Sequence, residues 1–393
     1  METKHIYLDN SATTKICDEA LQKYIEISKN SYGNPSSLHS VGLLAEKEIT
    51  NAKNIILSTV GAKDSALIFT SSGTEANNLA IFGRAFSKQR YRNGAKIITT
   101  LGEHASVSSA FEKLKEFGFK TAEISTKGGY VNEEELIREL TPDVILVSIT
   151  LINNETGAIY DIKKISALMK QRCPEALLHV DATQGYMKIK FSKQMLGADM
   201  ITLSSHKIEG PKGVGALVVD KKILTSKGIS AVTIGGGQEL GLRSGTENVP
   251  GIAAFAEAAR IAFARLPETE NKLSELRDYL VFRIENTPEL SEIKITRPAQ
   301  WAPHIINLTL PRIKSETMLH YLSSLGVFVS SGSACSSNHS HKSTALIAYG
   351  KTESEADSSI RVSLCRTNTK EDIDALISAL VSGTKRLARI GGR

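Results

Sequence analysis

The stretch Val144-Ile145-Leu146-Val147-Ser148-Ile149-Thr150-Leu151-Ile152-Asn153-Asn154-Glu155-Thr156-Gly157 decides the architecture of this chain of 393 residues. It opens as a run that is apolar on both faces, as a strand buried inside a parallel sheet must be. It then stops abruptly in polar and turn-forming residues. The same switch recurs along the chain: the pattern predicts strands at Ala66 to Thr70, Lys96 to Thr100, Leu177 to Asp181, Met200 to Ser204 and Val214 to Asp220,. Between them lie stretches with helical spacing, so the fold class is α/β, a sheet with covering helices.

Polar clusters close five of the runs: Ser71-Ser72-Gly73-Thr74-Glu75, Glu103-His104, Asn153 to Gly157, Asp181 itself, and Ser204-Ser205-His206-Lys207. In open α/β sheets ligands bind beyond the carboxyl ends of the strands. Five such clusters therefore describe one site viewed from five strands.

Downstream, a long helical stretch is expected from Pro250 to about Asn286, bridging two domains. His304 to Leu310 and Gly326 to Ser330 read as strands. Ser359 to Leu364 sets Ile360, Val362 and Leu364 against Ser359, Arg361 and Ser363, the alternation of a sheet with one wet face. The expected division is a large domain over residues 12–262, and a smaller α+β domain from residues 1–11 and 263–393 that carries a loop at about 328–345.

The formal charge of +6, from 48 basic and 42 acidic side chains, is spread along the sequence and does not indicate nucleic acid,. Cys17, Cys173, Cys335 and Cys365 have neither zinc-ligand nor CxxC spacing, so no metal site and no disulfide framework is expected,. No apolar run is long enough to cross a bilayer, and the start lacks the long apolar stretch of a signal peptide. The sequence reads as a protein of the reducing cytoplasm.

Ser72 and Glu75 have capping-box spacing, which would leave the amides of Gly73 and Thr74 facing outward beside the Thr74 hydroxyl. Such a helix start binds phosphate, and it is equally an ordinary cap. Lys207 follows a strand and precedes the turn-rich Glu209 to Gly213, where a lysine can form a Schiff base or simply be solvated. Asp181 lies at the same sheet edge, where a carboxylate could pair with a protonated pyridine nitrogen. Gln184 can share its direction, and His104 could stack on a flat ring or carry protons. Cys335 sits among small polar residues, Ser330 to Asn338, a setting that leaves a thiol accessible as a nucleophile. Arg361 could clamp a carboxylate in two-point fashion, or lie on the wet face of its sheet.

Taken together these residues resemble the cysteine desulfurases of the NifS/IscS type, in the class V aminotransferase group of fold-type I pyridoxal-phosphate enzymes. The likeness runs through Tyr7 to Thr14, Gly33-Asn34-Pro35-Ser36-Ser37, Thr70 to Asn78, Glu103-His104, Asn153 to Gly157 and Asp181-Ala182-Thr183-Gln184. It continues in Ser204 to Lys207, Arg243 to Asn248, Ser331 to Cys335 and Ser359 to Ser363. The resemblance implies a large domain with a mainly parallel, seven-stranded sheet. It implies pyridoxal 5'-phosphate tethered at Lys207, stacked on by His104, paired through its nitrogen with Asp181 and through its phenolic oxygen with Gln184. Gly73, Thr74, Ser204 and His206 would hold the phosphate, with Thr246 of a partner subunit completing it in a homodimer. Asn154 and Arg361, helped by Asn34, would bind the carboxylate of L-cysteine. Cys335 would take the sulfur as a persulfide, leaving L-alanine, and pass it to an acceptor protein, an iron-sulfur scaffold or a sulfurtransferase.

Ser336 to Lys342 departs from the acidic-proline continuation common in the family, so the acceptor is left open. His339 and His341 suggest metal handling or a solvated loop. Other class V chemistry, namely transamination or selenocysteine lysis, and a non-catalytic interaction protein of the same fold are the competing expectations.

Overall fold

The computed structural model describes residues 5–87, 94–331 and 343–387; Cys335 and the segment through Lys342 lie outside them. Among the described residues the strands, in chain order, are β1 (Ile6–Tyr7), β2 (Ser65–Thr70), β3 (Lys96–Thr100), β4 (Lys120–Ile124), β5 (Val144–Thr150), β6 (Leu177–Asp181) and β7 (Met200–Ser204). After them come β8 (Gly215–Asp220), β9 (Lys294–Thr296), β10 (Ile305–Thr309), β11 (Val327–Phe328), β12 (Ser330–Ser331) and β13 (Ser359–Ser363).

Seven of these build the main sheet in the order β2-β8-β7-β6-β5-β3-β4. β7, β6, β5, β3 and β4 run parallel, and β8 is antiparallel to both of its neighbours. β5 and β7 are buried at every position, as their unbroken apolar runs require,. Alternate residues feed two cores: Ile201, Leu203 and Val218 pack on one face, and Met200, Leu217 and Val219 on the other. Edge strand β4, Lys-Thr-Ala-Glu-Ile, carries no such run and gave no signal in the sequence.

Helices α1 (Asp18–Asn30) and α2 (Ser40–Thr59) pack against helix Val249–Ala264. α3 (Gly73–Ala85) and α4 (Ala105–Glu116) follow the carboxyl ends of β2 and β3. The expected single helix from Pro250 to Asn286 is two, Val249–Ala264 and Leu266–Glu285. The chain turns at Arg265, with φ −104° and ψ 5°, and Pro267 sits in the first turn of the second helix, where its missing amide costs nothing,.

The second sheet, β12-β13-β10-β9, packs the apolar faces of Ile306, Leu308, Ile360 and Val362 into a separate core with Ile6, Leu8 and the Leu266–Glu285 helix. Two expectations need correction here. The predicted strand Gly326 to Ser330 is two short strands in different sheets, β11 pairing with β1 and β12 with β13. And β10 and β13 are buried at every residue, so neither has a wet face. The polar residues instead meet one another: Asn307 stands opposite Arg361 and Thr309 opposite Ser359. Lys351 caps the group, its Nζ donating to Asn307 Oδ1 (2.5 Å), Thr309 Oγ1 (2.7 Å) and Ser359 Oγ (3.1 Å).

No helix among the described residues is long and apolar enough to cross a membrane.

Candidate active site

α3 begins at a cap formed by Ser72, whose Oγ accepts the amide of Glu75 (3.2 Å). The capping box is only half made. Glu75 turns instead to the amide of Ser71 (2.6 Å) and to Nε of Arg243 (2.9 Å), which together hold its carboxyl below the usual range against the opposing effect of burial. The amides of Gly73 and Thr74 remain as open donors of the helix end. Beneath them β8 passes so close that a Cβ on Gly215 would stand 2.4 Å from the Ser72 carbonyl carbon. A Cβ on Gly73 would stand 3.1 Å from Thr183 Oγ1 and 3.7 Å from Ser204 Oγ. Ser204 Oγ is buried with no partner. Three strand ends therefore surround a small hollow lined by amides and hydroxyls.

Asp181, at the end of β6, is buried. Its Oδ2 accepts Asn77 Nδ2 (2.8 Å) and its Oδ1 the amide of Thr183 (2.9 Å). Asn77 lies one helical turn after Gly73, which is why α3 delivers both to the same place. The same Nδ2 reaches Ser106 Oγ (2.8 Å), and Ser106 Oγ meets His104 Nδ1 (2.8 Å). His104 is thereby the N-cap of α4, accepting the Ser106 amide (3.2 Å). Burial pushes its ring pKa down, the Lys207 charge adds to that, and Asp181 pulls the other way. His104, Ser106, Asn77 and Asp181 form one connected chain.

Lys207, just after β7, donates from Nζ to the carbonyls of Ser11 (2.5 Å) and Ala12 (2.8 Å). Gln184 Nε2 donates to the same Ser11 carbonyl (3.0 Å), so both side chains converge on one backbone oxygen. His206 Nδ1 meets Thr13 Oγ1 (3.1 Å); burial, then Lys207 and Lys212, push its pKa down to about 4. Below Asp181, Glu103 is buried with Oε1 bonded by Thr100 Oγ1 (2.5 Å) and both oxygens facing the amide of Thr150. Burial pushes its pKa up to about 8.

From the second sheet, Arg361 enters the same region, buried rather than on a solvated face. Nη1 donates to the Asn154 carbonyl (3.0 Å), Nη2 pairs with Asp9 (2.9 Å), and Nε has no partner. Asn154 thus joins the site through its backbone.

Two expected residues stay apart in the single chain. Asn34 is exposed, and its side chain accepts the Ser36 amide (2.9 Å) within its own loop. Thr246 is exposed. Cys335 lies outside the described residues. The sequence reading had assigned no role to Asn77, Ser106, Asp9 or the Ser11 and Ala12 carbonyls. Asn77, Asp9, Ser11 and Ala12 do fall within stretches that carry the family resemblance, Thr70 to Asn78 and Tyr7 to Thr14.

Residues 6–376 match the family model described as aminotransferase class-V. The chain belongs to that family. A cysteine desulfurase IscS 1 from Archaeoglobus fulgidus is 36% identical over 383 residues, 97% of each chain. Among solved structures, a NifS-like protein superposes with a TM-score of 0.87 at 34% identity, over 98% of this chain and 99% of the other. Another, titled SspA in complex with cysteine, gives 0.78 at 29% identity, covering 92% of this chain and 99% of its own. The class-V fold so described is the α/β architecture with a mainly parallel central sheet.

Class-V aminotransferases as a family use pyridoxal phosphate, and the residues present fit that group. The unpartnered Ser204 hydroxyl and the space left by Gly73 suit a phosphate at the start of α3,. The carboxyl of Asp181, fixed by two donors, suits a pyridinium nitrogen. The amine of Lys207, which donates to the carbonyls of Ser11 and Ala12, suits the tether.

Proposed function

We propose that this chain is a pyridoxal-phosphate-dependent cysteine desulfurase, converting L-cysteine to L-alanine and taking the sulfur onto Cys335 as a persulfide. The observation that carries the reading is the meeting of Lys207, Asp181, His104 and the helix start beside the unpartnered Ser204 hydroxyl at the main sheet with a buried arginine from the second sheet. Full-length relatives with cysteine desulfurase names support the same reaction.

When bound, the cofactor supplies an electron sink for the carbon that loses its proton. The chain's own residues do the rest. Gly73, Thr74, Ser204 and His206 hold the phosphate, and Thr246 of a second subunit completes it. Asp181 would keep the ring nitrogen protonated, Gln184 would serve the phenolic oxygen and His104 would stack on the ring. With Nδ1 of His104 accepting from Ser106, Nε2 is the atom left to hold or pass a proton,. Arg361, Asn154 and Asn34 orient the substrate carboxylate, with Arg361 held in place by the Asn154 carbonyl and Asp9. The Cys335 thiolate attacks the substrate sulfur. The sulfur–carbon bond breaks, its electron pair stays on carbon, which takes a proton, and the new sulfur–sulfur bond is the persulfide. An acceptor protein, an iron-sulfur scaffold or a sulfurtransferase, then receives the sulfur.

A homodimer is part of the proposal. Leu38, Ile234 and Leu240 are exposed at 93%, 88% and 65%, and the latter two lie on the segment leading to Thr246. Apolar side chains so placed suit burial by a second copy.

The test is Cys335→Ala. The variant should keep the cofactor's visible absorption and lose cysteine-dependent sulfide release by roughly a thousandfold or more, on the scale seen when a covalent nucleophile is removed. Sulfide release at the wild-type rate would rule out Cys335 as the nucleophile.

A further inference from the structure

Glu155 stands in the turn after β5, next to Asn154, whose carbonyl holds Arg361. It is largely buried, and it accepts a hydrogen bond from Ser343 Oγ, the first described residue after Lys342. Ser343 also caps the short helix Thr344–Tyr349 by accepting the Leu346 amide (3.1 Å). Burial raises the Glu155 carboxyl pKa, while Ser343, Arg361 and Lys351 in turn oppose that rise, so the two cations face this one acid. At the other end of the same helix the chain turns at Gly350, with φ +108°, and drives Lys351 into the buried polar face of the second sheet. There its ammonium uses its three donors on Asn307, Thr309 and Ser359, and Asn307 is the residue directly opposite Arg361. One end of the helix is therefore tied to the turn after β5 that also holds Arg361 through the Asn154 carbonyl, and the other end to the sheet face on which Arg361 stands.

We infer that Glu155 and Lys351 are positioning residues that fix Ser343 and the helix behind it, eight positions after Cys335, in register with the carboxylate-binding Arg361. The inference rests on the functional reading above. Cys335 precedes Ser343 by eight positions in the sequence, so an anchor at Ser343 bounds how far the thiol stands from a substrate held by Arg361,. Neither residue touches substrate or cofactor in this role. They act through Ser343 and through the sheet face, and their loss leaves ring and carboxylate contacts in place.

The experiment uses the cofactor-loaded full chain and one equivalent of L-cysteine, with three readouts: the cysteine-induced change in cofactor absorption, alanine formed, and persulfide on Cys335 trapped by alkylation and weighed by mass spectrometry. Glu155→Ala and Lys351→Met should bind cofactor and cysteine within about twofold of wild type and form persulfide at least about tenfold more slowly, a step of one decade per 1.4 kcal/mol of lost positioning. Glu155→Gln, which keeps an acceptor for Ser343 Oγ, should recover most of that rate. Wild-type persulfide rates in both disruptive variants overturn the inference. So does a loss that tracks cofactor content and melting temperature across the set, which would make the role purely structural. A wild-type protein that binds cofactor and cysteine yet forms no alanine overturns the functional reading itself, and this inference with it.

Discussion

The two sheets bury their polar residues in opposite ways. In the seven-stranded sheet most polarity is pushed to the carboxyl ends of the strands, and a deep polar row, Ser148, His179 and Thr202, closes on itself through His179 Nδ1 (2.8 Å) and Nε2 (2.9 Å). In the four-stranded sheet a whole face is polar, and it is covered rather than wetted: Lys351 bonds Asn307, Thr309 and Ser359, while Asp9 and the Asn154 carbonyl take the two terminal nitrogens of Arg361 and leave its Nε over. Alternation in a strand therefore says that its two faces differ. It does not say that one of them meets water. A polar face can be sealed when each donor has an acceptor, because the penalty falls on groups left unmade rather than on polarity itself.

The largest break in that comparison should come from Arg361→Ala. It leaves Asp9 beside a sealed face without its cation, which costs roughly 3 kcal/mol of stability on the scale for breaking a buried pair, read from urea denaturation. It should also raise KM for cysteine about a hundredfold while moving kcat less, since the lost contact is to the carboxylate and not to the reacting atoms. An unchanged KM would remove Arg361 from substrate binding.

A smaller effect is expected on the main sheet. Asn77→Ala removes one of the two donors on Asp181, and cofactor affinity should fall about tenfold, near 1.4 kcal/mol, read from recovery of absorption on titrating the apoprotein. Little change in the denaturation midpoint would separate this loss from general unfolding. Equal affinity in the variant would show that the Thr183 amide alone orients Asp181.

The smallest effect separates the sheets by pH. Glu103 has its folded pKa raised to about 8 by burial, above its unfolded value, so the folded state binds the proton more tightly. Its stabilising contribution is present below the unfolded pKa and is lost as pH rises through the folded one, between about pH 5 and pH 8. Thermal melts of the apoprotein should fall across that window by a few degrees more in wild type than in Glu103→Gln. Parallel curves would mean the carboxyl ionises without cost.

What the sequence revealed follows from range. β5, β6 and β7 were legible because a strand buried on both faces is a continuous apolar run, and Glu103-His104, Asp181 and Ser204 to Lys207 were legible because they stop such runs. Asn77 was not, because its meaning lies in a partner at position 181 that no local pattern announces. The same holds for Asp9 and Arg361, 352 positions apart, and for the Arg243 that draws Glu75 away from its box. The break at Arg265 was within reach, since Pro267 marks a first helical turn. The cover over the second sheet was out of reach, since Lys351 looks like any exposed lysine until the fold closes over it.

The N-terminal stretch has a consequence for how the molecule comes into being. Ile6 and Tyr7 pair with Val327 and Phe328, and Asn10 and Ser11 are held by Ser363, before Ser11 and Ala12 can reach Lys207. Residues 6–11 must therefore wait for the 320s and 360s before their own contacts close, so the support behind the lysine's carbonyl cradle is completed later than the main sheet,. A nascent chain with a finished main sheet can seat Thr13 and Thr14 on His206 and yet lacks the hold of Ser363 on Ser11.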